Sequence, residues 1–162
     1  MEKKVIDTQN YRYERKFIVP RILEYEINNI IVNNPGNFSE IYKKRQINNI
    51  YLDTLDYNFL KDNINGSSLR KKVRLRWYGE LYGNINPILE IKIKSGLVGN
   101  KKSFKLPSIN FTQNFNIDDF RNILNLARLP KHILGEIILL DFTLLNSYSR
   151  NYFLSSCKNI RL

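Results

Sequence analysis

Cysteine and histidine are almost absent from this chain of 162 residues, which has one of each. A single cysteine excludes an intrachain disulfide, a zinc knuckle and a redox pair of cysteines. We expect Cys157 to be a small buried hydrophobic residue rather than a nucleophile. No apolar run approaches the length of a membrane span, and the N-terminal Met-Glu-Lys-Lys lacks the core of a signal peptide. The sequence therefore predicts a soluble, cytoplasmic protein with a single domain.

Acidic residues are also scarce, with 15 Asp and Glu against 26 Lys and Arg and a net charge of +11. The excess is concentrated in residues 70–105, which hold ten Lys or Arg but only Glu80 and Glu90 as acids. A local excess of this kind indicates a partner that carries phosphate, such as a nucleotide, a polyphosphate, a nucleic acid or an anionic lipid surface.

Within this basic segment the charges fall on alternate residues. Side chains of a strand alternate between its two faces, so each predicted strand has one apolar and one cationic face. Like charges side by side on a sheet repel each other, which suggests that the cationic face binds a strongly negative ligand. In the first predicted strand of this segment, residues 69–79, the cationic face carries Arg70, Lys72, Arg74 and Arg76, and the apolar face carries Leu69, Val73, Leu75 and Trp77.

Aromatic and β-branched runs, with Pro, Gly and Asn between them, predict a mixture of strands and helices. The predicted strands are 10–19, 45–53, 69–79, 86–95, 100–106 and one or two strands within 137–154. The predicted helices are 20–33, a short one capped by Asp53 or Thr54 that runs through Leu60, 117–127, and a short one from Pro130. Gly83-Asn84 is predicted to be a turn.

Antiparallel strands with short connections and interrupting helices indicate an α+β fold. The charged face could be the solvated side of an open sheet, or it could line the lumen of a barrel. Because so many of the charges share one sign, we favour an antiparallel β-barrel with flanking helices.

Five short motifs follow one another along the chain. They are Tyr13-Glu14-Arg15-Lys16-Phe17-Ile18-Val19, Ile50-Tyr51-Leu52-Asp53, Val73-Arg74-Leu75-Arg76-Trp77-Tyr78-Gly79, Leu89-Glu90-Ile91-Lys92 with Lys102-Ser103-Phe104-Lys105, and Tyr148-Ser149-Arg150-Asn151-Tyr152-Phe153. Their order resembles that of the vacuolar transporter chaperone (VTC) domain, the polyphosphate polymerase branch of the triphosphate tunnel metalloenzymes (CYTH-like superfamily). The resemblance runs from about residue 10 to the end of the chain.

Two positions depart from the wider superfamily. Arg12 stands where related triphosphatases carry the first Glu of Glu-x-Glu-x-Lys, which points away from a triphosphatase. The sequence also ends at Leu162, where family members continue with a metal-binding Glu and further lysines. We therefore expect residues 1–162 to be a single VTC-like domain, truncated at its C-terminus, with an incomplete tunnel.

By resemblance, the chain is an ATP-dependent transferase that moves the γ-phosphate of ATP onto inorganic polyphosphate and releases ADP. The resemblance implies Mn²⁺ or Mg²⁺ as the cofactor, held by Glu14 and Glu90, although either glutamate could instead pair with neighbouring lysines. Lys71, Lys72, Lys94 and Lys101 are expected to be a solvated rim. The implied catalytic residues are Arg74, Arg76, Lys92 and Lys105, and the implied phosphate-binding residues are Lys16, Lys102, Arg150 and Arg161.

Two alternatives remain at this stage, a tunnel triphosphatase and a non-catalytic module that binds polyphosphate or nucleic acid. RNA binding would require exposed aromatic residues interleaved with basic ones, and the sequence shows no regular interleaving. ATP and polyphosphate are thus the expected partners, and nucleic acid is not expected. The sequence leaves open the oligomeric state and a membrane protein that receives the product.

Overall fold

The computed structural model describes residues 15–96 and 98–162, which form two compact units. One unit contains residues 15–39 and 153–161, and the other contains residues 40–152 and 162. After a short 3-10 helix at Arg21–Leu23, the elements are α1 (Glu24–Val32), β1 (Ser39–Asp53), α2 (Asn58–Ile64), β2 (Leu69–Tyr78), β3 (Gly83–Ile85), β4 (Ile88–Ser95), β5 (Val98–Lys105), β6 (Ile109–Phe111), α3 (Ile117–Leu126), α4 (Lys131–Ile137) and β7 (Asp141–Leu154).

The main sheet has five strands in the order β5-β4-β2-β1-β7. Strand β2 pairs antiparallel with both β1 and β4, and β4 pairs antiparallel with β5. The predicted α+β class and antiparallel sheet are therefore confirmed. Within the described residues β5 and β7 are the two edge strands, so this part of the chain shows an open sheet rather than a closed barrel.

The apolar face of the sheet forms the hydrophobic core. Val73, Leu75 and Trp77 alternate along β2 and are 1–2% exposed, as the sequence pattern predicted. The side chains of Phe120 on α3 and Ile137 on α4 are fully buried in the same cluster. Helices α3 and α4 thus cover the face of the sheet that offers apolar side chains.

The helices are short, and their starting residues follow their capping chemistry. Asn116 caps α3 by accepting from the backbone N–H groups of Asp118 and Asp119, at 2.9 and 3.0 Å. The N-cap residue of α2 is Tyr57 and the helix continues to Ile64, beyond the predicted end at Leu60. The buried Asp53 nevertheless accepts from the N–H groups of Phe59 and Leu60 in the first turn of α2, both at 2.9 Å. None of the helices in the described part of the chain is long and apolar enough to cross a membrane.

Strands β3 and β6 form a separate two-stranded sheet that the sequence analysis did not predict. The expected turn at Gly83-Asn84 instead lies in β3, where Gly83 pairs with Phe111 and has a φ of +105°. Strands of three residues are too short to show an alternating pattern, so periodicity could not reveal them.

The unit of residues 15–39 and 153–161 is mostly exposed. Residues 15–20 have no regular secondary structure, so the described part of the strand predicted at 10–19 is wrong, and residues 10–14 lie outside the described chain. Helix α1 contains no buried residue. Cys157 is exposed, contrary to our expectation. Its Sγ lies 3.2 Å from Ser155 Oγ, a hydrogen bond that lowers the pKa of the thiol.

Candidate functional site

The face of β2, β4 and β5 opposite the core is densely cationic. In an antiparallel sheet, residues directly opposite each other point to the same side, so the strand register shows which side chains share this face. One acidic residue, Glu90, lies among eight cationic residues. The cationic face is defined by Arg70, Lys72, Arg74, Arg76, Lys92, Lys94, Lys101 and Lys105.

Three lysines form a row across the cationic face. Lys72 lies directly opposite Lys92, and Lys92 lies directly opposite Lys101. Lys101 reaches Glu90, whereas Lys72 and Lys92 form no ion pair with any residue in the described ranges. Like charges at directly opposed positions destabilise a sheet, so this row weakens the fold in the absence of a counterion.

Glu90 is the centre of a charged cluster beside the lysine row. Its side chain is 7% exposed, and its Oε2 accepts from Arg74 Nε at 2.8 Å and from Arg74 Nη2 at 2.7 Å. The same oxygen lies 3.7 Å from Arg76 Nη1, while Oε1 lies 2.7 Å from Lys101 Nζ. A buried carboxylate is stable only when it is paired, and here both of its oxygens are engaged by cations.

The pKa values of this cluster follow from its pairing. Burial acts to raise the pKa of Glu90, but the hydrogen bonds from Lys101 and Arg74 outweigh it and hold the pKa below its usual value. Burial likewise acts to lower the pKa of Arg74, but the hydrogen bond and charge of Glu90 outweigh it, and the pKa is raised. Glu90 and Arg74 therefore stay ionised at neutral pH.

Strand β1 fixes the two arginines from the other side. Tyr51 lies opposite Arg74, and its hydroxyl accepts a hydrogen bond from Arg74 Nη1 at 3.3 Å. Asn49 lies opposite Arg76 and accepts from Arg76 Nε at 3.1 Å, while Asn49 Nδ2 donates to Asn146 Oδ1 on β7 at 2.9 Å. Arg74 is thus held through Nε and Nη2 by Glu90 and through Nη1 by Tyr51, and Arg76 is held through Nε by Asn49. Both guanidinium groups therefore have defined orientations, which favours the binding of phosphate oxygens.

This arrangement of paired arginines and opposed lysines on an antiparallel sheet agrees with a comparison of the sequence with known families. The family model of the VTC domain matches residues 3–162, nearly the whole chain. The chain belongs to the VTC domain family. No curated protein matches it at a significant level. Family membership supports a function related to polyphosphate for this VTC domain.

The four residues predicted to be catalytic all lie on the cationic face of the VTC domain. Arg74 is in the row of Glu90, Lys92 is in the row of lysines, and Arg76 lies in one row with Ile88 and Lys105. The structure thus brings together residues that are up to 31 positions apart in the sequence. Their catalytic role remains a prediction.

Two lysines on β5 are placed differently from our expectation. Lys102 lies opposite the buried Ile91 and therefore points to the side of the sheet that holds the core, away from the cationic face. Lys101, which we expected to be a solvated rim residue, is exposed but also forms one of the ion pairs of Glu90. The strict alternation of strand side chains could have indicated this, because Lys101 and Lys105 are four residues apart and Lys102 and Lys105 are three.

The remaining rim lysines also differ from one another. Lys71 lies on the core side opposite Ile93 and forms an ion pair with Glu136 of α4, so it links the sheet to a helix. Lys72 and Lys94 are exposed on the cationic face, as expected. The polar character of Lys71 therefore reflects packing of the fold rather than the binding of a ligand.

Arg150 lies within a group of aromatic residues that we name the tyrosine–arginine cluster. Arg150 Cζ is 5.4 Å from the ring centroid of Tyr148 and 5.7 Å from that of Tyr152. Arg45, a residue that sequence reasoning did not select, has its Cζ 5.9 Å from the same Tyr152 centroid and 4.1 Å from that of Tyr42. The cluster consists of Tyr42, Arg45, Tyr78, Tyr148, Arg150 and Tyr152.

Three predicted site residues lie outside the unit of residues 40–152 and 162, which contains the cationic face, or outside the described chain. Lys16 and Arg161 belong to the unit of residues 15–39 and 153–161, and their phosphate-binding roles remain predictions. Glu14, one of the two predicted metal ligands, lies outside the described residues. The other predicted ligand, Glu90, has both oxygens engaged by cations, which does not fit a preformed metal site.

A cavity of about 480 Å³ opens beside the cationic face. It is lined by Tyr51 and Lys72, by the apolar Leu52 and Leu144, and by Tyr57 at the start of α2. Tyr51 therefore contacts both the cavity and Arg74. Of the eight residues that define the cationic face, only Lys72 lines this cavity.

Replacement of Glu90 by glutamine tests whether this carboxylate is a counterion. Because its pKa is lowered in the folded state, Glu90 contributes stability above the usual range of glutamate and loses it as pH falls through the lowered value. We expect Glu90→Gln to lower the free energy of unfolding at pH 7 by roughly 1–3 kcal/mol, since Arg74 and Lys101 lose a charged partner. The loss should shrink between pH 5 and pH 3, as measured by denaturant unfolding.

The exposed Glu80 supplies a matched control, because Glu80→Gln removes the same charge from a residue that forms no ion pair within the described chain. Its unfolding free energy should follow that of the wild type at each pH. If Glu90→Gln instead leaves stability and its pH dependence unchanged but abolishes the binding of Mn²⁺, then Glu90 is a metal ligand and not a counterion.

Proposed function

We propose that this VTC domain transfers the γ-phosphate of ATP onto inorganic polyphosphate bound along the cationic face. The observation that carries the proposal is the row of Lys72, Lys92 and Lys101, in which like charges lie directly opposite each other. Such a row destabilises the free protein, and a chain of linked phosphates is a ligand whose repeated charge matches it. Closure of the sheet into a tunnel is part of the proposal.

Phosphoryl transfer requires little covalent chemistry from the protein. It requires that the phosphates be held in line and that the charge on the moving group be neutralised. Arg74 and Arg76 would hold phosphate oxygens through their planar guanidinium groups, and Lys92 and Lys105 would supply point charges in adjacent rows. We also propose that Mn²⁺ or Mg²⁺ assists the reaction. Glu14 is the candidate ligand, because Glu90 is already paired with cations.

Replacement of Lys92 by alanine separates a ligand-binding role from a structural one. Removing the middle charge of the row relieves repulsion, so we expect the free energy of unfolding to rise by about 0.2–1 kcal/mol. The same change removes a charged contact with phosphate and should weaken binding of long-chain polyphosphate by about tenfold. Chemical denaturation and fluorescence-detected titration measure the two effects. The exposed Lys61 on α2 offers a control, since Lys61→Ala should change neither the free energy of unfolding nor the affinity for polyphosphate appreciably.

A gain in stability without any loss of polyphosphate affinity would show that Lys92 is not part of the site. A loss of stability would contradict the assigned repulsion. Either result would remove the observation on which the proposal rests.

The proposed activity is tested by incubating the protein with ATP and Mn²⁺ and resolving the products. Polymerisation predicts ADP together with long-chain polyphosphate, and both should disappear in Arg74→Ala. Orthophosphate without polymer would establish a triphosphatase in place of a polymerase. The reaction is monitored by gel electrophoresis of the polymer and by an enzyme-coupled assay of ADP.

Binding without turnover is the second candidate function. It is favoured by the pairing of Glu90, the one carboxylate beside the described cationic-face residues. Because Glu90 contacts Arg74 and Lys101, neither of its oxygens is available to a metal ion. On this account the domain binds polyphosphate through the same arginines and lysines and leaves ATP unchanged. Salt-sensitive polyphosphate binding in the absence of ADP release would establish it.

A further inference from the structure

The tyrosine–arginine cluster contains two guanidinium groups beside one aromatic ring. Arg45 and Arg150 have their Cζ atoms 5.9 and 5.7 Å from the Tyr152 ring centroid. Arg45 Cζ lies 4.1 Å from the ring centroid of Tyr42. The ring of Tyr42 makes an edge contact with that of Tyr152, with 5.7 Å between the two centroids. Stacking of this kind orders arginine side chains that would otherwise lose much entropy on binding a ligand.

Neither guanidinium has a carboxylate partner in the described part of the chain. The arginines of the cationic face share Glu90, whereas Arg45 and Arg150 form no salt bridge there. Two ordered cations that approach the same ring without a counterion repel each other. Binding of an anion between them would relieve this repulsion, so the cluster favours an anionic ligand.

The geometry of the cluster favours phosphate over a nucleobase as the ligand. The rings of Tyr42 and Tyr152 already contact guanidinium groups, so a base that stacked there would compete with Arg45 and Arg150. A guanidinium that stacks through its face keeps its N–H donors directed outward in its plane, where they match phosphate oxygens.

The cluster lies at one end of the cationic face. Arg45 Cζ is 5.7 Å from the ring centroid of Tyr78, the residue that follows Arg76 along the same face of β2. On β1, Arg45 precedes Tyr51 by six residues, and Tyr51 lies opposite Arg74. Asn49, which lies opposite Arg76, is four residues from Arg45. At about 3.3 Å per residue the separations along the strand are about 13 Å to the level of Arg76 and about 20 Å to the level of Arg74, longer than an inorganic triphosphate.

We propose that Arg45 and Arg150 form a second phosphate subsite, which binds a distant part of the same polyphosphate chain that lies along the cationic face. This inference rests on the proposed function, since it assumes that the cationic face binds polyphosphate. It adds a residue, Arg45, and a consequence: the two subsites together select long chains over short ones, because only a long chain contacts both.

The experiment compares the affinity of the protein for long-chain polyphosphate and for inorganic triphosphate. We expect the wild type to bind the long chain more tightly. Arg45→Ala should weaken binding of the long chain by about tenfold and leave binding of triphosphate to the cationic face unchanged. Arg45→Lys, which keeps the charge but loses the planar stacked group, should restore only part of the affinity. Titration calorimetry at two salt concentrations provides both affinities.

Lys44→Ala is the matched control, because it removes one positive charge from the neighbouring exposed residue on β1. If Arg45→Ala behaves like Lys44→Ala while Arg74→Ala weakens both ligands, the second subsite is overturned and the proposed function stands. Equal losses for both ligands in Arg45→Ala would also overturn a separate subsite. If the wild type binds neither ligand, the proposed function and the subsite fail together.

Discussion

Replacement of both Arg74 and Arg76 by alanine should lower the affinity for long-chain polyphosphate by about 100-fold to 10,000-fold. The estimate follows from the loss of two charged hydrogen-bonding groups at roughly 1.5–3 kcal/mol each. Both guanidiniums are held by partners other than the ligand, Arg74 by Tyr51 and Arg76 by Asn49. Their orientation is therefore set before the ligand arrives, and a flexible lysine nearby cannot replace two guanidinium groups that have lost this fixed orientation.

The measurement is a binding titration at several salt concentrations, because fewer phosphate contacts give a shallower dependence of affinity on salt. A double variant of Arg128 and Lys131, two exposed cations outside the cationic face, removes the same net charge. That control should lose affinity only slightly, through the reduced overall charge. Equal losses in the two double variants would show that polyphosphate is attracted by net charge and has no defined site.

Replacement of Trp77 by alanine should lower the free energy of unfolding by about 3–5 kcal/mol. Trp77 is 1% exposed, lies 5.0 Å from Phe111 between ring centroids, and donates from Nε1 to the backbone oxygen of Glu80 at 3.0 Å. Truncation removes the packed ring and leaves that oxygen with only the longer hydrogen bond from Asn48 Nδ2, at 3.3 Å. Since small domains are stable by only about 5–15 kcal/mol, much of the protein should unfold near physiological temperature.

Denaturant unfolding and thermal melting measure the effect of Trp77→Ala, and Trp77→Phe should show a smaller loss because a ring remains. The polyphosphate affinity of the folded fraction should be unchanged, since Trp77 and the adjacent Arg76 point to opposite faces of β2. A stable Trp77→Ala protein with reduced affinity would place this ring at the ligand instead of in the core.

Local alternation explains why much of the sheet could be predicted from the sequence. In β2 the buried Val73, Leu75 and Trp77 alternate with Arg74 and Arg76 within one short segment, so the two faces are visible without any knowledge of the neighbouring strands. The same reasoning correctly assigned Trp77 to the core. It also placed Arg74 and Arg76 on one face of their strand, although it did not show that the described sheet is open at its edges.

Pairing between distant strands explains what the sequence did not reveal. The role of Lys101 depends on the register of β4 with β5, and the importance of Arg45 depends on Tyr78 and Tyr152, which are 33 and 107 residues away. Neither relation can be recognised from the residues on either side of Lys101 or Arg45 in the sequence. The sequence therefore showed no interleaving of aromatic and basic residues, whereas the fold assembles such a group from three strands.

The central claim, that polyphosphate binds on the cationic face, is tested most directly by observing the arginine Nε–Hε resonances during a polyphosphate titration by NMR. The account predicts large shifts for Arg74 and Arg76 and none for Arg121 or Arg128, which lie outside the face. Shifts confined to Arg121 and Arg128, or spread equally over all four, would contradict it.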